Sequence, residues 1–258
     1  MFVDQLVQYM KKLENKVALV TGASKGIGAA IAKQYAEDGA AVAVNYAYSK
    51  GDAEKVVEII RGKGGRAIAV QGDVSIAEDV KRILADTVEA FGRIDILVNN
   101  AGVYEWGTLE SVTVDGFHRQ FNINVLGLLL ASQAAVSYFP ENGGNIINIG
   151  SGVSTSQPAG SAIYTATKSA VDSITRVLSK ELGSKKIRVN SINPGIVDTE
   201  GSRAGGFIGS EMEKMFVGMT PLQRVGMPED IALIASFLAS DEARWLTGEI
   251  VSASGGLR

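Results

Sequence analysis

Lys16-Val-Ala-Leu-Val-Thr21 runs straight into Thr21-Gly-Ala-Ser-Lys-Gly-Ile-Gly28, and the residues beyond it place Ile27, Ile31 and Tyr35 four apart as far as Gly39. The short apolar run reads as a buried strand and the four-residue spacing as a helix, so the join is a glycine-rich strand-to-helix turn. Glycine lets a backbone approach a ligand closely, and the first turn of a helix offers free N–H groups to a phosphate. Gly22, Gly26 and Gly28 stand as Gly-x-x-x-Gly-x-Gly rather than the commoner Gly-x-Gly-x-x-Gly, and in this setting they point to a dinucleotide.

Working outward, apolar runs at 40–46, 66–71, 94–99, 145–150, 187–192 and 250–254 read as six further strands. Helical patterns lie between them at 51–62, 76–91, 112–139, 164–182 and 228–239, the last beginning near Pro228. Strands alternating with helices predict one α/β domain, a doubly wound parallel sheet with helices on both faces and its ligand beyond the carboxyl ends of the strands. A length of 258 residues suits that single domain, assigned to 15–258. Residues 1–14 form an extension whose Val3, Leu6, Met10 and Leu13 share a helical stripe. A surface extension and a helix that packs on a neighbouring subunit both fit it.

The net charge of −3 and the lack of a dense basic run argue against nucleic acid or an anionic membrane as partner. The longest nearly apolar stretch, Val125-Leu-Gly-Leu-Leu-Leu-Ala131, is too short for a membrane span, and the N-terminus lacks the pattern of a signal peptide. With no cysteine, disulfide and thiolate chemistry are excluded, and a cytoplasmic location is expected. No metal site is predicted, and the single histidine, His118, reads as a surface or satisfied residue.

The end of the second strand bears on the cofactor. An acid for a ribose 2′-hydroxyl commonly sits about 20 residues past the glycines. Here the chain has Asn45, Tyr46, Ser49 and Lys50, with no acid before Asp52, and Lys25 lies in the glycine turn. A carboxylate would repel a 2′-phosphate, whereas a hydroxyl and two ammonium groups would attract one. NADP(H) is therefore expected over NAD(H).

After the fifth strand comes Ser151-Gly-Val-Ser-Thr-Ser-Gln-Pro-Ala-Gly-Ser-Ala-Ile-Tyr-Thr-Ala-Thr-Lys168. It offers a hydroxyl at a strand end, then a phenol and an ammonium four apart on one helix face. A neighbouring cation favours the ionised phenol, which predicts an acid/base tyrosine useful near neutral pH. A Tyr-x-x-x-Lys pair is weak alone, and Tyr46 to Lys50 is a second example. Position separates them, because Tyr46 falls on the adenosine side.

Taken in order, Thr21–Gly28, Asn99-Asn-Ala-Gly102, Asn124, Ser151, Tyr164-Thr-Ala-Thr-Lys168 and Pro194-Gly195 resemble the short-chain dehydrogenase/reductase family from about Lys16 onward. The nearest likeness is to oxoacyl-carrier-protein reductases and glucose-dehydrogenase-like members. The resemblance implies a seven-stranded sheet in the order 3-2-1-4-5-6-7 and a homotetramer built across the long helices. It implies that Tyr164 is the acid/base, that Ser151 binds the substrate oxygen, and that Lys168 lowers the phenol's pKa and holds the nicotinamide ribose. Asn124 would position a water that relays protons to Lys168. Gly22, Ser24, Lys25, Gly26, Ile27 and Gly28 would wrap the phosphates, and Asp73 and Val74 would meet the adenine. Asn100, Ala101 and Gly102 would line the cleft, with Pro194, Gly195, Val197 and Thr199 toward the nicotinamide.

Residues 200–220 break the pattern, with Gly201, Gly205, Gly206 and Gly218 beside Phe207, Met212, Met215 and Phe216. Mobile backbone with adaptable apolar side chains suits a lid over an apolar substrate. The turn Pro140-Glu-Asn-Gly-Gly144 has no positive charge to dock an acidic carrier, although Lys185 and Lys186 follow the next helix. Ala253-Ser-Gly-Gly256 lacks the acid or amide common there. The expected activity is thus reduction of a small or acyl ketone to an alcohol. An acyl-carrier reductase, a sugar dehydrogenase, an epimerising use of the cofactor and a non-catalytic cofactor sensor are the alternatives. Pocket shape rests on 103–106, 152–161 and the lid.

Overall fold

Alternate residues of the first strand end up in different cores. Ala18 and Val20 pack into one apolar cluster and Leu19 into the other, all three fully buried. A strand covered on both faces needs an unbroken apolar run, and Val17–Val20 is one. A computed structural model describes residues 11–257. It contains β1 (Val17–Val20), β2 (Ala41–Tyr46), β3 (Arg66–Gln71), β4 (Ile96–Asn99), β5 (Gly144–Ile149), β6 (Ile187–Pro194) and β7 (Ile250–Ala253). They form one sheet in the order β3-β2-β1-β4-β5-β6-β7, every pair parallel, as the sequence predicts.

The helices are α1 (Gly26–Glu37), α2 (Lys50–Gly62), α3 (Ala77–Phe91), α4 (Val114–Phe121), α5 (Gly127–Val136), α6 (Val153–Ser156), α7 (Ala162–Leu182), α8 (Glu200–Ala204), α9 (Glu211–Met219) and α10 (Pro228–Ala239). Ile31, Tyr35, Val56, Ile60, Ile231 and Leu238 from α1, α2 and α10 bury one face with Val42, Val98 and Ile147. Val80, Ile83, Leu84, Ala131 and Leu182 from α3, α5 and α7 bury the other with Leu97, Ile146 and Val189. Each buried Val, Leu or Ile among these contributes about 1.5–3 kcal/mol by leaving water.

Two expectations change. The single helix read over 112–139 is interrupted, because a turn of π-helix at Asn122–Leu126 separates α4 from α5. Leu13, assigned to the extension, is fully buried in the α1 core and its N–H reaches the Asp38 carbonyl at 2.9 Å. The rest of the stripe, Val3, Leu6 and Met10, lies outside the described residues. No described helix is long and apolar enough to cross a membrane.

Candidate active site

The sheet order reverses between β1 and β4, which pair with each other, so a crevice opens beyond their carboxyl ends. Thr21 bridges it. Its Oγ1 donates to the Val98 carbonyl at 3.2 Å and accepts from the Asn100 and Ala101 N–H groups, each at 3.0 Å. Asn100 donates from Nδ2 to the Thr21 and Gly22 carbonyls at 2.9 and 3.0 Å. Gly22 and Gly26 take φ of +60° and +57°, which disfavour any side chain. Lys25 holds the N-cap position of α1, where its ammonium can accept no helix N–H. Lys25 is exposed, Ser24 is half-buried, and Ile27 packs against the α1 core.

Gly28 has a packing reason of its own. A Cβ there would strike the Asn100 amide and lie 2.8 Å from the Gly22 carbonyl oxygen. Gly28→Ala is expected to lose about 2 kcal/mol of stability through this overpacking, read as a lower urea midpoint with unchanged slope.

On the adenosine side the structure divides the predicted residues. Asn45 is buried and engaged within the protein. Its Oδ1 accepts from the Gly22 N–H at 3.1 Å, and its Nδ2 donates to the Val70 and Gly72 carbonyls at 3.3 and 3.1 Å. It shapes the glycine turn instead of presenting an amide to a ligand. Tyr46 is also buried, whereas Ser49 is half-buried and Lys50 exposed, its Nζ 3.6 Å from Glu54. Asp73 accepts from the Ser75 N–H and hydroxyl at 2.9 and 2.7 Å. Tyr48, which sequence reasoning missed, is 87% exposed and donates to the second Asp73 oxygen at 3.2 Å, joining the loops after β2 and β3. Val74 is buried against Gly127 of α5, so only its backbone is available to a ligand.

Across the crevice, Ser151 follows β5 while Tyr164 and Lys168 lie on α7. The Ser151 hydroxyl sits beside the Tyr164 phenol and lowers its pKa, but burial outweighs this and raises the phenol above its usual value. That reverses the shift expected from Lys168. Desolvation is the strongest effect, and Tyr104 adds a smaller push in the same direction. Lys168 is itself buried, donates from Nζ to the Ile149 carbonyl at 2.8 Å, and lies 5.9 Å from the Tyr164 ring centre. Burial pulls its ammonium down to about 8, and Asp172 pushes back upward.

Asn124, in the π turn, clasps Val103. It accepts the Val103 N–H and donates to its carbonyl, both at 2.8 Å, with a further bond to Thr167 Oγ1 at 3.1 Å. Its side chain thus holds the loop after β4. A Cβ on Gly102 would lie 3.3 Å from Asn124 Oδ1 and 3.7 Å from Lys168 Nζ, so the three residues converge. Ala101 packs against the α3 core. His118 is exposed on α4.

At the end of β6, the Pro194 carbonyl accepts the Gly152 N–H at 2.8 Å. Gly195 packs against Ser254, where a Cβ would come within 2.8 Å of Cα. Val197 is buried in the α1 core, and Thr199 caps α8 through the Ser202 N–H at 3.1 Å. Glu200 reaches back across the site, its Oε2 accepting the Gly26 N–H at 2.9 Å. The segment read as a lid is therefore tied to the glycine turn. Nothing in the sequence marked Glu200, because the contact spans 174 residues.

The donor set fits a dinucleotide: a glycine turn at a helix N-terminus whose first N–H is held only by the exposed Glu200 carboxylate, an exposed lysine, and a phenol–hydroxyl–ammonium group facing it across β1 and β4. Comparisons point the same way. A family model for enoyl-(acyl carrier protein) reductase matches residues 22–258. An uncharacterised oxidoreductase of Methylorubrum extorquens is 56% identical over 249 residues, covering 96% of this chain and all of that protein. A short-chain dehydrogenase/reductase of Serratia marcescens, solved as a double mutant, superposes with a TM-score of 0.90 at 38% identity over 95% of this chain and 99% of that one. The angucycline C-6 ketoreductase LanV, solved with bound NADP, gives 0.89 at 38% identity over 95% and 96%.

Proposed function

This chain belongs to the short-chain dehydrogenase/reductase family, and from that premise we propose that it is an NADP(H)-dependent carbonyl reductase that converts an uncharged ketone to its secondary alcohol. Membership makes it an NAD(P)-dependent oxidoreductase; the ketone and the phosphorylated cofactor are our reading. The observation that carries it is the geometry of the Tyr164 phenol beside the Ser151 hydroxyl, with the Lys168 ammonium 5.9 Å from its ring centre.

The glycine turn and the α1 N-terminus would hold the diphosphate, and Lys168 the nicotinamide ribose. Bound there, the cofactor supplies or accepts the hydride. Ser151 donates a hydrogen bond to the ketone oxygen and fixes it against the phenol. As negative charge grows on that oxygen, the Tyr164 O–H transfers its proton to it, and the nearby Lys168 charge stabilises the phenolate left behind. In the other direction the phenolate removes the alcohol proton. Asn124 acts here as a positioning residue, because it holds Val103 and hence the wall of the cleft. Residues 200–220, as α8 and α9, serve as the lid, and Phe207 and Phe216 pair within it at 5.9 Å.

NADP(H) is supported by the absence of any acid between the end of β2 and Asp52, by Ser49, Lys50 and Lys25 just past β2 and β1 with both lysines exposed, and by the NADP bound to LanV. A cytoplasmic homotetramer completes the proposal. Phe117, Leu129 and Val177 are exposed on α4, α5 and α7, as an interface across those helices requires.

A panel of uncharged ketones tests this, with NADPH and NADH at equal concentration and the reduced nicotinamide followed by its absorbance. We expect consumption with NADPH and a kcat/KM at least about tenfold above that with NADH. A preference for NADH overturns the cofactor assignment, and no consumption with either overturns the reductase.

A further inference from the structure

The loop after β4 carries two large aromatic side chains that the core does not use. Tyr104 and Trp106 are 48% and 56% exposed. Both face the same residue: the Tyr104 ring centre is 6.0 Å from that of Tyr164, inclined at 56°, and the Trp106 ring centre is 6.5 Å away at 54°. The two residues stand two apart in the loop, and both rings meet Tyr164.

The segment is braced on its other side. Val103 is clasped by Asn124, Glu105 pairs with Arg119 of α4, and the Gly107 N–H donates to the Gly160 carbonyl at 2.8 Å. Two half-exposed rings on a braced loop beside a proton donor form a preorganised wall. The wall meets the lid at one point, since a Cβ on Gly201 would lie 3.3 Å from the Tyr104 hydroxyl. Glycine there leaves space for that phenol under α8. The charge on this loop is neutralised by the Glu105–Arg119 pair, so nothing in it selects an anionic substrate.

We propose that Tyr104 and Trp106 form a subsite for a flat aromatic ring carried on the ketone, which makes this a reductase of aryl ketones with fused or extended rings. The inference rests on the carbonyl-reductase reading above and assigns its substrate class. The indole of Trp106 is the main platform, because its two-ring surface is the larger and the more exposed. An aromatic ring packed on it gains about a factor of ten over a saturated ring of similar size, since the offset or tilted pair adds to simple area burial.

The test compares 2-acetylnaphthalene with cyclohexyl methyl ketone, using NADPH and the full-length parent, Trp106→Ala and Trp106→Phe. The quantity read is the ratio of kcat/KM between the two ketones. The parent should favour the naphthyl ketone at least about tenfold, Trp106→Ala should lower that ratio about tenfold, chiefly through KM, and Trp106→Phe should keep most of it. Thermal melting of each variant confirms folding. A parent that reduces both ketones equally well, or a ratio unchanged in Trp106→Ala, overturns the aromatic subsite and leaves the reductase standing. Consumption of neither ketone overturns both.

Discussion

Replacing Tyr164 with Phe is expected to lower kcat by about a thousandfold or more while the Kd for NADPH stays within about twofold of the parent. The substitution deletes one oxygen and keeps the ring that contacts Tyr104 and Trp106, so packing is preserved. Two contributions vanish together. General-acid transfer is worth about 10²–10⁴-fold, and a hydrogen bond to the developing oxyanion about 10²–10³-fold. They overlap at a single atom, so the loss falls short of their product. Ser151 remains and sustains a residue of activity by polarising the carbonyl. Steady-state turnover on the best ketone, with cofactor fluorescence titrated in parallel, separates chemistry from binding. Turnover at the parent rate would remove Tyr164 from the acid's role. The direction of its pKa shift adds a second signature. A phenol raised by burial keeps its proton through the neutral range, so reduction should hold a plateau there. Alcohol oxidation needs the phenolate and should climb with pH.

What could be read in advance follows from how local the determining forces are. β3 at Arg66–Gln71 and α10 at Pro228–Ala239 were legible to the residue, because an apolar run and an N-terminal proline act within a few positions. The sheet order was legible through family resemblance, and its parallel character through the alternation of strand and helix. The π turn at Asn122–Leu126 was not. Apolar periodicity continues across it, and the Asn124 clasp on Val103 that accompanies it crosses 21 residues. Asn45 was placed on the cofactor because its position suits that role, yet the Gly22 N–H needed an acceptor and Asn45 supplies it. The side chains of Val74 and Val197 are buried in the core, which the sequence pattern did not specify. The direction of the Tyr164 pKa shift is set by burial, which spacing along α7 does not reveal.

Lys168→Met should abolish most turnover without weakening the fold near neutral pH, and the two effects have one origin. Turnover should fall about a hundredfold or more, because no cation remains to stabilise the phenolate or hold the ribose. Stability behaves differently, because the ammonium is buried and its pKa is drawn from 10.5 to about 8. Below pH 8 both the folded and unfolded chains hold this proton, and the folded state bears the full cost of the buried charge. Between about 8 and 10.5 the unfolded chain holds the extra proton, so rising pH favours the folded state. Above that range the cost is gone. The shift amounts to about 3 kcal/mol, at 1.36 per pH unit. Methionine removes that cost but leaves the Ile149 carbonyl without its donor, which loses about 1–3 kcal/mol. The two nearly offset at pH 7, so the variant should match or slightly exceed the parent there. By pH 10 the parent's lysine is mostly neutral and still donates to Ile149, so the parent should be the more stable. Urea denaturation of both proteins at pH 7 and pH 10 measures the gap, and titrations elsewhere in the chain cancel in the difference. A gap that does not move toward the parent between those two pH values would show that Lys168 does not bear a buried charge.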